Sequence, residues 1–161
     1  MEYIYPQNLR EALRTMEKRG RKGKPIAGGT NVIPDMRAKV VKPDVLVDLS
    51  RVKSLSYIKE DKKKIQIGGL TTISELASSK VIQKYAPILS EAAQQLGNPL
   101  VRNRATIAGN LADASPAADT AIPLLALGAE VITARDAGKG RHIPIDQFFA
   151  GPNQTVFKKD E

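Results

Sequence analysis

Two glycine-centred segments hold the residue types in this chain best suited to bind a ligand. The first reads Pro25, Ile26, Ala27, Gly28, Gly29, Thr30, Asn31, Val32, Ile33, Pro34. The second reads Arg104, Ala105, Thr106, Ile107, Ala108, Gly109, Asn110, Leu111, Ala112, Asp113, Ala114, Ser115, Pro116. In each, small residues stand where a short apolar run gives way to a predicted helix. Glycine there permits a positive φ and lets a ligand approach the main chain closely. N–H groups exposed at such turns suit anions, phosphate above all. Two such loops can grip one diphosphate from both sides, as a dinucleotide would require. Taken alone, the first loop is equally well read as a tight strand-to-helix turn. It is not a Walker loop, because no Gly-Lys-Ser/Thr follows, and it lacks the GxGxxG spacing.

The second loop adds side chains to its glycine. Thr106, Gly109 and Asn110 bring together a hydroxyl, a bare backbone and an amide, and Asn110 can lock a loop or touch a ligand. Asp119 is placed early in the next predicted helix. There it is either a charge at the positive helix end or a hydrogen-bond acceptor for a sugar hydroxyl of the ligand. Asp113 reads as a turn former. Arg102 and Arg104 flank the loop and could steady a phosphate or pair with a partner's carboxylates. His142, the single histidine, reads as a surface residue. With no second histidine and no cysteine, a catalytic triad or a metal site has little support.

The elements that must position these loops follow from pattern. Residues 3–5 read as a strand. Asn8 with Glu11 suggests a capping box before a helical stripe of Leu9, Ala12, Leu13 and Met16, ended by Gly20. Strands are expected at 25–27 and 44–49, with a helical turn at 32–37 between them. This order suggests a small α/β unit. Residues 55–59 and 64–68 alternate as a hairpin, with Lys62–Lys64 a solvated turn and edge guard. Thr72 with Glu75 is a second capping box, and 87–96 is an amphipathic helix stopped at Gly97. Ser115 followed by Pro116 predicts a serine-capped helix running through Leu124, Leu125 and Leu127 to Gly128. Strands are expected at 130–135 and 141–144 around a turn at 136–139. Phe148 and Phe149 should anchor a loop at 150–153. Tyr3, Tyr5, Tyr57 and Tyr85 read as core or rim aromatics.

Composition narrows the classes. At 161 residues and 42% hydrophobic, the chain can build one domain or two small subdomains. No apolar run reaches the roughly 18 residues that span a membrane, and the N-terminus lacks the order of a signal peptide. The expectation is a cytoplasmic protein. The absence of cysteine removes disulfides, thiolate zinc and an iron–sulfur cluster from this chain. Lys+Arg 25 against Asp+Glu 17 gives +8. The basic residues are scattered and do not interleave with aromatics, which are only 4%. That argues against nucleic-acid binding.

The chain resembles the FAD-binding medium subunit of molybdenum hydroxylases, which includes that of aerobic carbon monoxide dehydrogenase and the flavin segment of xanthine dehydrogenase. The matching residues are 3–6 with Glu11 and Ala12, AGGT with Pro34, Met36 and Arg37, and LVDLS at 46–50. They continue with IGGLTT at 67–72, GNPLVRNRATIAGN at 97–110, SPAAD at 115–119, LLALGA at 124–129 and FFAGP at 148–152. The resemblance implies an α+β, two-subdomain FAD-binding fold of the p-cresol methylhydroxylase type. Residues 1–52 would form the small α/β subdomain and 53–161 the larger mixed-sheet subdomain. It implies FAD as cofactor, with Ile26, Ala27, Gly28, Gly29, Thr30, Asn31 and Val32, and Thr106, Ile107, Ala108, Gly109 and Asn110, lining the diphosphate. Asp119 would be an acidic FAD contact, and Leu96 with Gly97 would lie against the flavin. No catalytic side chain is implied. Electrons would arrive from an iron–sulfur small subunit carrying 2Fe–2S clusters, fed by a molybdopterin large subunit, and leave through FAD to an external acceptor. Two departures stand in the second loop. Ala108 replaces a common glycine, and Asp113 stands where histidine is frequent. Family chains also continue for about another domain, so the expectation is a fragment, or a missing half supplied as a separate polypeptide. The rival readings are a stand-alone FAD-dependent reductase of the same fold and a basic, non-enzymatic binding module.

Overall fold

The computed structural model describes residues 1–61, 64–135 and 140–158, with Arg21 described by its backbone only. The N-terminal elements are β1 (Glu2–Ile4), α1 (Leu9–Arg19), β2 (Gly23–Ile26), α2 (Val32–Arg37) and β3 (Val45–Asp48). The three strands form a parallel sheet in the order β1-β3-β2. Val45 pairs with both Glu2 and Gly23, and Val47 with both Ile4 and Pro25. The central strand is the apolar one, and Val45, Leu46 and Val47 are buried, as expected for a parallel strand covered on both faces. Pro25 lies on an edge strand, where its missing N–H breaks no ladder. α1 starts at Asn8, whose side chain accepts from Glu11 N. The expected capping box is only half formed, because the Glu11 carboxylate takes the N–H of Gln7 at 2.7 Å instead of that of Asn8. Gly20 closes the helix at φ +52.

From residue 58 onward the sheets are antiparallel. β4 (Ile58–Asp61) and β5 (Lys64–Ile67) form a hairpin with Ile58 opposite Ile67. Its tip, with the expected lysine guard at Lys62 and Lys63, lies outside the described residues. α3 (Ile73–Ser78) has a complete capping box. Thr72 Oγ1 accepts from Glu75 N, and the Glu75 carboxylate accepts from Thr72 N at 2.7 Å. α4 (Lys80–Tyr85) and α5 (Pro87–Gln95) pack beside it. Ile73, Leu76, Ile82, Leu89 and Ala93 fill the core with Leu96, Ala105, Ile107, Leu111, Leu124, Ile143, Ile145 and Phe148. Phe148 meets Phe149 and Phe157 edge-on at 5.1 Å. Truncating a fully buried leucine such as Leu76 should cost about 2–5 kcal/mol.

After α6 (Pro99–Arg102) and α7 (Ile107–Asp113), the chain departs from expectation. The next helix, α8, spans Ala121–Ala126 and does not begin at Ser115. Ser115 closes only a turn, taking Ala118 N at 2.9 Å on its carbonyl and Ala117 N at 3.2 Å on its hydroxyl. The physical reason lies at Thr120, which is fully buried. In a continuous helix its N–H would donate back to Pro116; here it donates to Asn110 Oδ1 at 3.4 Å, and its hydroxyl donates to the same oxygen. Asp119 therefore precedes α8 and is not in its first turn.

β6 (Glu130–Ile132) and β7 (His142–Pro144) form a short hairpin. It ends earlier than expected because the Thr133 hydroxyl takes Arg141 N at 2.9 Å. The turn at 136–139 lies outside the described residues. His142 is on the surface, its Nδ1 3.6 Å from a Glu130 carboxylate oxygen. Instead of a plain loop after the phenylalanines, β8 (Phe149–Gly151) and β9 (Gln154–Thr155) form a tight hairpin. Asn153 there takes φ +55, and its N–H reaches Ala114 O at 2.8 Å. No helix among the described residues is long and apolar enough to cross a membrane.

Candidate functional site

The first loop joins the C-terminal end of β2 to α2, so it opens where the strands of a parallel sheet characteristically present ligand crevices. Gly29 takes φ +75, a conformation that other residues reach only with strain. The first turn of α2 is held by Ile33 N to Gly29 O at 3.1 Å and Asp35 N to Asn31 O at 3.0 Å. Among the described residues, the N–H groups of Gly28, Gly29, Thr30, Asn31 and Val32 donate to no protein acceptor. Five consecutive unengaged donors on a glycine-rich turn are the donor set a phosphate group requires.

The second loop is built differently. Thr106 caps α7, its hydroxyl accepting from Gly109 N at 3.2 Å. Around it the chain lies against the segment after β5. Ile107 N donates to Thr71 O at 3.0 Å, Ala108 N to Gly69 O at 3.1 Å, and Ile73 N to Ala105 O at 2.9 Å. Asn110 N returns to Thr106 O at 2.9 Å. The amides of residues 107–110 are thus engaged inside the protein. Gly109 has a local reason to be glycine, because a Cβ there would stand 2.9 Å from the capping Thr106 oxygen. Asn110 is a lock: its Oδ1 holds Thr120, which fixes the backbone beside the exposed Asp119.

The two loops meet directly. A Cβ on Gly28 would fall on the carbonyl of Arg104, so this glycine lets two backbones touch. Asn31 Nδ2 donates to Asp113 Oδ2 at 2.6 Å, which corrects the reading of Asp113 as a turn former. Ala27, Gly28 and Thr106 share a cleft of about 370 Å³ with Ser50, Lys53, Thr72, Glu75, Asn103 and Arg104. Leu96 is buried in the core and is followed by Gly97 at φ +49. Arg102 donates to Leu96 O at 3.0 Å and Gly97 O at 3.2 Å. Its guanidinium therefore clamps this turn, and the exposed Arg104 is the arginine that lines the cleft. Gly69 and Thr71 are not among the expected site residues, although their carbonyls support the second loop. The signal for them was a glycine pair between a strand and a capped helix. Among the described residues no cluster of histidine and carboxylate side chains could hold a metal ion.

The whole chain, residues 1–161, matches the family model described as the FAD binding domain in molybdopterin dehydrogenase, and the chain belongs to that family. It is 34% identical over 161 residues to the carbon monoxide dehydrogenase medium chain of Hydrogenophaga pseudoflava, covering 99% of this chain and 55% of that one. It is 40% identical over 146 residues to the 6-hydroxypseudooxynicotine dehydrogenase complex subunit alpha of Paenarthrobacter nicotinovorans, covering 91% of this chain and 49% of that one. The solved structure of Hydrogenophaga pseudoflava carbon monoxide dehydrogenase lacking the Mo-pyranopterin moiety superposes with a TM-score of 0.95 at 32% identity, over 99% of this chain and 55% of that one. The chain spans about half the length of the relatives it matches. The α+β FAD-binding fold of these subunits is the fold seen here.

Proposed function

We propose that this chain is the FAD-holding part of the medium subunit of a molybdenum-containing hydroxylase or dehydrogenase, and so a component of an oxidoreductase. Family membership and the names of its relatives support the class. The observation that carries the reading to this chain is the run of five unengaged N–H groups from Gly28 to Val32, set at the end of a parallel strand and against a second loop. FAD bound there would supply the electron transfer, which no side chain of this chain can perform.

The chain's own residues bind and orient. Ile26, Ala27, Gly28, Gly29, Thr30, Asn31 and Val32 form one wall of the diphosphate site, where the N–H groups of Gly28 to Val32 donate to phosphate oxygens. Thr106, Ile107, Ala108, Gly109 and Asn110 form the opposite wall, where the exposed Ala108 and Gly109 leave room for the ligand. Asp119 accepts from a sugar hydroxyl, and Leu96 with Gly97 forms the turn that lies against the flavin ring. Residues 1–52 and 53–161 act as the two subdomains that share the cofactor.

In the assembly we infer, electrons reach this subunit from an iron–sulfur subunit that is itself served by a molybdopterin subunit, and leave for an external acceptor in the cytoplasm. A chain without cysteine fits that division of labour, because the clusters then belong to partners. The test is titration of the purified chain with FAD, followed by size-exclusion chromatography read at flavin wavelengths. Co-eluting flavin is expected. No retained flavin, either alone or with the iron–sulfur and molybdopterin subunits, would overturn the reading.

A further inference from the structure

Asn31 and Asp113 are 82 positions apart, yet their side chains meet at 2.6 Å. Each breaks a local rule. Asn31 occupies the N-cap position of α2, where asparagine ordinarily accepts a hydrogen bond from its own helix; here it makes no such bond and donates outward. Asp113 ends α7, where the negative end of the helix disfavours a carboxylate. One contact accounts for both departures. The acceptor is an anion, so the bond is charge-assisted and short. Asp113 is also well anchored. It is followed by Ala114 at φ +50, whose carbonyl takes Asn153 N at 2.8 Å.

We propose that Asn31 and Asp113 form a clasp that fixes the first loop against the second and thereby sets the grip of the Gly28 to Val32 amides on a diphosphate. Both are positioning residues through their side chains. The inference rests on the FAD reading above. The Asn31 side chain has no cap bond to make in α2, because Ile33 N already donates to Gly29 O at 3.1 Å and Pro34 has no N–H, so it ties the loop to Asp113 instead. Losing the clasp leaves the loop to find its binding shape only when the cofactor arrives, which weakens affinity by the cost of ordering it.

The test compares Asn31→Ala, Asp113→Ala, the double variant and Asp113→Asn, which keeps an acceptor oxygen and removes the charge. Two quantities are read: the FAD dissociation constant, and amide hydrogen exchange at Ile33 and Asp35 in the cofactor-free chain. Each alanine variant should weaken FAD binding by roughly fivefold to tenfold and speed exchange at both amides. The double variant should be no weaker than the singles by more than about twofold, because both remove one interaction. Asp113→Asn keeps the acceptor but loses the charge assistance, so it should fall between the starting protein and the alanine variant. Additive losses, an asparagine variant as weak as the alanine, or unchanged exchange would each overturn the clasp. A starting protein that binds no FAD would instead overturn the cofactor reading; the exchange rates would then decide separately whether the two loops are tied.

Discussion

The two glycine loops look alike as sequence and behave differently as structure. In the first, five successive N–H groups face no protein acceptor among the described residues. In the second, the four amides of residues 107–110 are held by Thr71, Gly69 and Thr106. One loop is kept open by its glycines and is tied to the other through Asn31 and Asp113. The other is closed by a threonine cap and by bridging to the segment after β5. Glycine-rich composition is therefore compatible with two jobs: presenting donors, and letting backbones approach each other. Whether neighbouring carbonyls reach the loop decides which job it does.

The largest expected effect lies where the loops touch. Gly28→Ala would drive a methyl into the Arg104 backbone, which cannot rotate away as a side chain could. A loss of at least about 3 kcal/mol is expected, read as a fall in thermal midpoint together with loss of flavin. A Gly28→Ala protein with unchanged stability would break the picture of loops in direct contact.

Asn110→Ala tests the closed loop. It would leave the fully buried Thr120 amide and hydroxyl without their acceptor, for about 1–3 kcal/mol in chemical denaturation of the cofactor-free chain. If Asn110 served the ligand alone, the cofactor-free stability would not move.

The smallest effect on stability is expected at Asp119, which is exposed and lies outside any helix. Asp119→Ala should change stability by less than about 0.5 kcal/mol while weakening FAD binding measurably by calorimetry. A pure stability loss would make Asp119 structural.

Much of the local architecture was legible in the chain. Asn8 and Thr72 cap helices, Gly20 and Gly97 end them, and the DVLVDL run forms the buried middle strand, because caps, left-handed glycines and apolar strands depend on residues within a few positions. Less legible were the features that depend on distant partners. Ser115-Pro116 carries a sound helix-start signal, yet α8 begins later because Asn110, ten positions before Thr120, takes an amide the helix would have used. Arg102 reads as a residue to steady a phosphate or pair with a partner's carboxylates, and in the fold it clamps two carbonyls. Glu11 reads as half of a capping box and instead takes the preceding N–H.

By itself, the sequence determined the family, the two loops and most of the elements that carry them, since these follow from residue type and short-range spacing. The tertiary structure decided which loop keeps its N–H groups free, why Gly28 has no room for a side chain, and that Asn31 finds its partner in Asp113. Those outcomes rest on hydrogen bonds and backbone approaches between segments far apart in the chain, which no local pattern encodes.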